Sequence, residues 1–331
     1  MAALTQFLQT IPGAIILLVV GFVCLIKGAD FFVDGASNVA KRFHVPTLII
    51  GLTIVAMGTS LPETAVSISA SIAGSNSLAI SNVSGSNLFN LLVVVGLCAI
   101  MQKVEVDKDT IRRDIPYSLL AAVVLIVLGM VGTGEGMILG RLDGAILLAL
   151  FAFFLFLMIR SALKSAADSK EMDDEEVTQS VVLSLVSIVG GAAAIAFGGD
   201  WAVDAASTIA LKLGMTETMV GLTIVAVGTS LPELVTSMVA AKKGENDIAI
   251  GNAIGSCIFN VVLILGLSST INPLAITNDT LIDMIVMTFS VVLLAIFTIK
   301  KPEIDKKKGI IFILIYVVYL TYIILRNMQV F

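Results

Sequence analysis

Long apolar segments follow one another along the whole chain, and they limit the fold more than any other feature. A helix needs about 20 apolar residues to cross the hydrocarbon core of a membrane. Only 14% of the 331 residues are charged and 57% are hydrophobic, whereas soluble domains carry about 25% charged residues. Because apolar segments recur from one end to the other, the sequence excludes a soluble domain with a single anchor. It predicts an all-α polytopic protein that has the lipid bilayer as its surroundings.

The spacing of these segments predicts ten transmembrane helices. They are expected at residues 12–38, 47–72, 78–101, 116–133, 138–160, 179–208, 217–241, 248–271, 279–299 and 309–328. This arrangement divides the chain into a first five-helix repeat at 1–163, an acidic cytoplasmic linker at 164–178 and a second five-helix repeat at 179–331. With a net charge of −5 and basic residues only in short clusters, nucleic-acid binding is not expected.

The distribution of Lys and Arg predicts the orientation. If the N-terminus is outside, segments on the inner side hold 16 of the 20 Lys and Arg residues, among them Lys41, Arg42 and Lys306 to Lys308. Basic residues concentrate on the cytoplasmic side of membrane proteins. The sequence therefore predicts an integral protein of a prokaryotic cytoplasmic membrane with both termini outside.

An internal repeat is the strongest pattern in the sequence. Residues 51–90 match residues 221–260 at a constant offset of 170, with 23 of 40 positions identical. The shared residues are Gly, Thr, Ser, Pro, Glu and Asn rather than the Leu and Val that chance similarity between apolar helices would give. Five predicted spans separate equivalent points, so the second copy enters the membrane from the opposite side. Inverted-topology repeats are typical of secondary transporters, which bind substrate at the repeat interface.

Each copy carries one glutamate in the middle of a predicted span, Glu63 in the first and Glu233 in the second. A charged residue there costs about 2.5 to 3.5 kcal/mol on insertion scales, so a lipid-facing role is implausible. Each follows a Gly-Thr-Ser-Leu-Pro sequence, in which proline removes a backbone donor and glycine loosens the same turn. The predicted helix-breaking residues are Gly58, Pro62, Gly228 and Pro232.

Hydroxyl and amide side chains surround these glutamates in the sequence and predict a cation site. Thr59, Ser60, Thr229 and Ser230 lie within a turn of the carboxylates. The partner helices supply Ser86 with Asn90 and Ser256 with Asn260, each pair four residues apart and therefore on one helix face. Ligation by oxygen alone suits Ca²⁺ and Na⁺ rather than zinc, copper or iron. Two carboxylates would repel each other in an empty site, which favours exchange of ions over uniport.

Further polar positions are expected to have structural roles. Close helix packing alone could account for a single glycine in these helices, but the whole set of Gly and Ser is not expected to serve packing only. Asp30 and Asp34, with their equivalents Asp200 and Asp204, lie near helix ends. For these four we expect capping, water contact or a structural hydrogen bond rather than ion binding.

Through the two Gly-Thr-Ser-Leu-Pro-Glu motifs and the matching segments 85–90 and 255–260, the sequence resembles the cation/calcium exchanger superfamily, specifically the prokaryotic sodium/calcium exchangers. The resemblance covers essentially the whole chain. It implies a ten-helix fold in which eight helices form a compact core. The long helices at 12–38 and 179–208 would slide across that core to give alternating access.

The resemblance also implies roles for individual residues. Glu63 and Glu233 would bind Ca²⁺ and share it with Na⁺, helped by Thr59, Thr229 and the carbonyls of Ala56 and Ala226. Flanking Na⁺ sites and the central position would use the remaining polar residues, which are Ser60, Ser230, Ser86, Ser256, Asn90 and Asn260. No cofactor, catalytic residue or enzymatic activity is implied, and the transported partners are Ca²⁺ and Na⁺.

Asn260 departs from the pattern of some relatives, since several archaeal members and the potassium-dependent branch have aspartate there. Asparagine removes a titratable group and argues against K⁺ co-transport. The proton/calcium branch differs in the Thr-Ser-Leu-Pro-Glu segment, which favours Na⁺. The sequence therefore predicts a Na⁺/Ca²⁺ antiporter that normally extrudes Ca²⁺. An H⁺/Ca²⁺ exchanger is the alternative, and a cation channel is a more distant one.

Overall fold

The computed structural model describes residues 7–74, 76–131, 136–168, 180–215, 224 and 226–327, and helices account for most of them. In chain order these are α1 (Ile11–Arg42), α2 (Thr47–Thr59), α3 (Leu61–Ile72), α4 (Leu78–Met101), α5 (Thr110–Val131), α6 (Arg141–Asp168), α7 (Val181–Lys212), α8 (Leu231–Lys242), α9 (Asn246–Ile271), α10 (Asn278–Ile299) and α11 (Lys306–Asn327). A short helical turn at Ala226–Gly228 precedes α8.

Most of the predicted spans coincide with these helices. Within the described residues, eight helices are long and apolar enough to cross a membrane, and α2 with α3, bent by 51°, make up to a ninth. The prediction of an all-helical, multi-span membrane protein is confirmed. The predicted span at 217–241 contains α8, but residues 216–223 and 225 lie outside the described part of the chain.

Several ends of the predicted spans differ from the structure. The span expected at 138–160 begins only at Arg141, because Ile138 and Leu139 form a short strand and the Asp143 carboxylate accepts the backbone N–H of Gly140 at 2.8 Å. The fourth span starts earlier than expected, at Thr110, through a π-helical turn. The helix α6 also continues to Asp168, so the first residues of the predicted linker are helical. Residues 169–179 of the linker region are not among those described.

Short strands connect the two halves of the chain at two places. Strand β1 (Val104–Glu105) pairs antiparallel with β4 (Glu303–Ile304), and β2 (Ile138–Leu139) pairs antiparallel with β3 (Leu274–Ala275). A hydrogen bond from Lys103 to Glu303 at 3.2 Å accompanies the first pair. This bond and the nearby Glu105 raise the pKa of Lys103. The halves are therefore fastened to each other outside the apolar helices as well as within them.

The two longest helices, α1 and α7, pack against each other with their backbones in contact. A methyl group on Gly28 would lie 2.9 Å from the carbonyl oxygen of Gly191, and one on Gly191 would lie 2.7 Å from that of Gly28. Gly21 faces Gly198 in the same way, so the helices run antiparallel. Small residues that allow backbones to approach closely are typical of membrane helix pairs.

The core is built around α4 and α9, the helices that follow the two glutamates. Within the apolar stretch of α9, 94% is buried inside the protein, and 78% in α4, against 28% in α1 and in α7. An apolar helix that is buried on all sides lies at the centre of a bundle, whereas one that is exposed on most sides can face lipid. The fold therefore places the repeat motifs at the centre and the long helix pair at the edge.

Candidate cation-binding site

The helix that carries Glu63 is broken between the two predicted helix-breaking residues, Gly58 and Pro62. The helix α2 ends at Thr59, Ser60 has φ −84° and ψ 12°, and α3 begins at Leu61. Pro62 stands in the first turn of α3, where its missing N–H removes no helical hydrogen bond. The proline thus starts a new helix rather than kinking a continuous one, and the Glu63 side chain in the first turn of α3 is fully buried.

The second copy breaks at the equivalent residue. Ser230 has φ −94° and ψ 6°, and α8 begins at Leu231 with Pro232 in its first turn. The glycines before the breaks also allow the long helices to approach. A methyl group added to Gly58 would lie 2.7 Å from the ring of Phe32 in α1. One added to Gly228 would lie 2.2 Å from the side chain of Val203 in α7.

Serines at the two breaks join the glutamates of opposite halves. Ser60 Oγ donates to Glu233 Oε1 at 2.8 Å, and Ser230 Oγ donates to Glu63 Oε1 at 3.1 Å. Both carboxylates and both serines are fully or almost fully buried. The structure therefore brings the two repeat motifs, 170 residues apart in the chain, into one site.

The central helices α4 and α9 add one serine to each carboxylate. Ser86 Oγ lies 3.5 Å from Glu63 Oε1, and Ser256 Oγ lies 3.3 Å from Glu233 Oε1. Each Oε1 atom thus accepts two hydroxyl groups, one from its own half and one from the other. Charge-assisted hydrogen bonds of this kind hold the carboxylates in fixed orientations.

A second layer of hydrogen bonds, which the sequence analysis missed, supports the helices of both glutamates. Asn82 Nδ2 donates to Ser67 Oγ at 3.0 Å and to the backbone carbonyl of Glu63 at 3.4 Å. In the second half, Asn252 Nδ2 donates to Ser237 Oγ at 2.9 Å and to the backbone carbonyl of Glu233 at 3.3 Å. All four of these Ser and Asn residues are identical across the 170-residue repeat, which is the signal that could have identified them.

Several buried oxygen atoms of this site have no hydrogen-bond partner. Among the described residues, Oε2 of Glu63, Oε2 of Glu233, Oδ1 of Asn260 and both amide atoms of Asn90 are buried and unpartnered. Buried polar groups are normally paired, and a buried carboxylate costs several kcal/mol unless an opposite charge is near. Within the described part of the chain no Lys or Arg side chain pairs with either glutamate. A cation bound by these oxygens would satisfy both conditions.

The donor set consists of carboxylate, hydroxyl and amide oxygens. Where the chain is described, no group of three or more His, Cys, Asp or Glu side chains comes together. Ca²⁺ takes 6–8 oxygen ligands in flexible geometry, and hard oxygen donors are what Ca²⁺ and Na⁺ prefer over nitrogen or sulfur. The arrangement can therefore hold a hard cation between two carboxylates.

Asn90 and Asn260 lie at equivalent irregularities in the central helices. A π-helical segment covers Phe89–Val94 in α4 and Asn260–Ile264 in α9. The backbone carbonyls of Asn90 and Asn260 accept from the amide five residues later, as the longer π turn requires. Single π turns within α-helices are frequent at functional sites, although neither was predicted here.

The two threonines of the motifs differ in their contacts. Thr59 Oγ1 donates to Asn252 Oδ1 at 3.0 Å and also lies 3.3 Å from the carbonyl of Ala56. Thr229 Oγ1 is buried and has no partner among the described residues. Ala226 begins the short helical turn before the second break. Whether these threonines and carbonyls bind ions stays a prediction.

A cavity of about 490 Å³ reaches the second half of the site. Thr229, Gly228 and Pro232 line one wall, and Asp200 with Asp204 from α7 line another. Both aspartates are exposed. The cavity thus borders Thr229, whereas Thr59 is fully buried, and it lies toward the end of α7.

The opposite end of the helix pair is held by ion pairs. Lys243, just after α8, lies 2.7 Å from Asp34 Oδ1 and 3.4 Å from Asp30 Oδ1 of α1. Nearby, Ser37 Oγ donates to Glu245 Oε1 at 2.7 Å. The structural hydrogen bonding expected for Asp30 and Asp34 is therefore present, whereas their equivalents Asp200 and Asp204 line the cavity.

The family follows from comparison with known proteins. The family model described as sodium/calcium exchanger protein matches residues 13–160 and 183–325. These ranges include both breaks and both central helices. The chain belongs to the sodium/calcium exchanger protein family.

Named relatives of this exchanger family agree over most of the chain. The sodium/calcium exchanger MaX1 of Methanosarcina acetivorans is 35% identical over 339 residues, which cover 92% of this chain and 97% of that protein. The inner membrane protein YrbG of Escherichia coli is 38% identical over 263 residues, 78% of this chain and 79% of that protein. The resemblance stated from the repeat motifs is confirmed.

Solved structures of a family member share the fold. The sodium-calcium exchanger NCX_Mj, soaked with 100 mM Na⁺ and 10 mM Sr²⁺, matches with a TM-score of 0.82 and 32% sequence identity over 94% of this chain and 99% of that one. The same exchanger soaked with 10 mM Na⁺ and no Ca²⁺ matches equally well, at 0.82 and 33% identity. The similarity covers almost the full length of both chains.

Proposed function

We propose that this protein exchanges Na⁺ for Ca²⁺ across a prokaryotic cytoplasmic membrane by alternating access and normally extrudes Ca²⁺. The observation that carries the proposal is the pair of buried carboxylates, Glu63 and Glu233, each hydrogen-bonded to a serine of the other half and each with one oxygen left without a partner. Family membership and the exchanger names of MaX1 and NCX_Mj support the choice of ions.

The proposed architecture has ten transmembrane helices in two inverted five-helix repeats, with both termini outside. Equivalent contacts in the two halves agree within a few tenths of an ångström, as two copies of one unit would. In an inverted pair, such contacts would face opposite sides of the membrane. The Lys and Arg distribution supports the orientation, and YrbG, named an inner membrane protein, supports the membrane.

The proposed ion site extends over the whole motif. Ca²⁺ would lie between Glu63 and Glu233 with the motif threonines and the carbonyls of Ala56 and Ala226, while Na⁺ would use the serines and share the glutamates. Asn90 and Asn260 would complete the central position. An empty pair of carboxylates is costly in a buried site. The binding site would therefore change its accessibility from one side of the membrane to the other only with an ion bound, which is exchange.

The cavity next to Thr229 supports a state that is open to the outside. It lies on the side where α7 ends, which the sequence predicts to be outside, while Lys243 and Asp34 close the side predicted to be inside. In alternating access the outer side would then close while the inner side opens. The helices α1 and α7 would move together because their backbones are in contact.

The test is the gradient that drives Ca²⁺ uptake. The purified protein is reconstituted into liposomes loaded with Na⁺ and diluted into Na⁺-free buffer containing ⁴⁵Ca²⁺, where we expect saturable accumulation. Parallel samples carry a pH gradient without Na⁺, or K⁺ in place of Na⁺. Uptake driven by pH alone would replace the proposal with H⁺/Ca²⁺ exchange, and flux that does not saturate and needs no counter-ion would indicate a channel.

A further inference from the structure

A difference between the two halves lies beside the central carboxamides. At the 170-residue offset, Asn87 on α4 corresponds to Cys257 on α9, and both residues are buried. Each faces the backbone carbonyl of the other: Asn87 Nδ2 donates to the carbonyl of Cys257 at 3.1 Å, and Cys257 Sγ lies 3.7 Å from the carbonyl of Asn87. The backbone arrangement is therefore repeated, but only the first half has an amide there.

The Asn87 amide has one possible orientation. A backbone carbonyl can only accept a hydrogen bond, so the atom of Asn87 that faces the Cys257 carbonyl must be the NH₂ group. The sulfur of Met287, 3.3 Å from the same nitrogen, is also an acceptor. The side-chain oxygen of Asn87 consequently points the other way.

This orientation fixes Asn260 in turn. Asn260 Nδ2 lies 3.0 Å from Asn87 Oδ1 and donates to it. The carboxamide oxygen of Asn260 is therefore directed away from Asn87, and it is buried without a partner among the described residues. The carbonyl of Cys257 thus orients the Asn87 amide, the Asn87 amide orients that of Asn260, and Asn260 Oδ1 is left free to bind a ligand.

Asn90 lacks such a partner. Both of its amide atoms are buried and unpartnered in the described structure, and the position equivalent to Asn87 is Cys257, whose thiol is only a weak donor and acceptor. Nothing in the hydrogen bonding of the described residues distinguishes the oxygen of Asn90 from its nitrogen. The two carboxamides at the centre of the site therefore differ in how firmly they are oriented.

We propose that Asn87 is a positioning residue that holds the Asn260 carboxamide with its oxygen toward the transported cation. The inference rests on the proposed function, because it gives Asn260 a cation to bind. Without this hold, the NH₂ group of Asn260 could face the site, where it would repel a cation. Residues that orient metal ligands through hydrogen bonds typically change metal affinity about 10- to 100-fold when they are replaced.

The test compares Asn87→Cys, which gives α4 the residue that α9 has, in two backgrounds. In the natural background, the half-saturating Ca²⁺ concentration for uptake should rise about 10- to 100-fold. In an Asn260→Asp background it should change by less than about threefold, because either carboxylate oxygen can face the cation. Asn278→Cys, on the exposed first turn of α10, is the matched control and should leave the half-saturating concentration unchanged.

The reciprocal variant keeps the proposal testable if Asn87→Cys does not fold. Cys257→Asn should donate to the Asn87 carbonyl, offer its oxygen to the Asn90 amide and lower the half-saturating Ca²⁺ concentration severalfold. An unchanged or higher value for this variant, or an equal cost of Asn87→Cys in both backgrounds, would overturn the proposal. If the unmodified protein shows no Ca²⁺ uptake under any gradient, the proposed function fails instead.

Discussion

The two halves of the molecule have the same chemistry at the glutamates but different surroundings at their edges. The hydroxyl contacts of the glutamates repeat across the halves: Ser230 lies 3.1 Å from Glu63, and Ser60 lies 2.8 Å from Glu233. In contrast, Thr59 is hydrogen-bonded to Asn252, while Thr229 lines an open cavity. The two copies therefore make the same contacts at the glutamates, while the cavity borders only one of the two motif threonines.

The long helices show the same contrast. The carboxylates of Asp30 and Asp34 are tied to Lys243, but the residue equivalent to Lys243 in the first half is Ala73. No lysine can therefore reach Asp200 and Asp204 from that position, and both line the cavity. The glutamate contacts are thus duplicated, while the aspartates of the two long helices have different surroundings.

The largest effect is expected at the duplicated centre. Glu63→Gln and Glu233→Gln should each reduce Na⁺-driven Ca²⁺ uptake by more than about 100-fold, because removing one member of a buried charged cluster costs about 3 to 5 kcal/mol. Glu105→Gln, which changes an exposed glutamate outside the site, is the control. Near-normal ⁴⁵Ca²⁺ flux in either site variant would show that the carboxylates are not equivalent ligands.

An intermediate effect is expected at the serines that cross between the halves. Ser60→Ala and Ser230→Ala each remove one hydrogen bond to a carboxylate, worth about 1.5 to 3 kcal/mol, or about 10- to 100-fold in ion affinity. The two variants should raise the half-saturating Na⁺ or Ca²⁺ concentration by similar factors, which isothermal titration in detergent would measure. A large effect from one serine and none from the other would break the symmetry inferred for the centre.

The smallest effect is expected at the asymmetric edge. Lys243→Gln removes two partly exposed ion pairs worth about 0.2 to 1 kcal/mol each, so this end should open about 2- to 30-fold more often. The measurement is the labelling rate of Ser37→Cys by a membrane-impermeant maleimide from the predicted inner side, after Cys24, Cys98 and Cys257 are replaced by alanine.

Lys242→Gln is the matched control for this last experiment, because Lys242 is the exposed neighbour of Lys243. It should leave the labelling rate unchanged. Equal rates in the Lys243 variant and in the control would mean that the ion pairs to Asp30 and Asp34 do not keep this end closed.

Much of the fold could be predicted from apolar length alone, and the exceptions have specific structural causes. Ile138 and Leu139 are apolar enough to extend a helix, but pairing with Leu274 and Ala275 makes them a strand. That pairing joins segments more than 130 residues apart, which no local pattern reveals. The exact position of the break, at Ser60 between Gly58 and Pro62, depends on the proline entering the first turn of the next helix.

The candidate site was predictable to the extent that polar residues repeat. Glu63, Glu233 and the serines around them stand out because ionisable residues within membrane spans are costly, rare and usually functional. Asn82 and Asn252 repeat as well, but their role is to support the helices that carry the glutamates, and it follows only from their contacts. Asn87 does not repeat at all, so no sequence comparison between the halves could have selected it.

The sequence by itself determined that the chain is a multi-span helical membrane protein with a duplicated, oxygen-rich motif, because apolar length and polar repetition are both written along the chain. Only the tertiary structure decided which oxygens meet, which amides are oriented and on which side of the bundle the cavity lies. These properties depend on side chains that are far apart in sequence, such as Asn87 with Asn260 and Lys243 with Asp34. Hydrogen bonds and ion pairs act over a few ångströms in space. The periodicity of a sequence does not predict such distances between residues that are far apart in the chain.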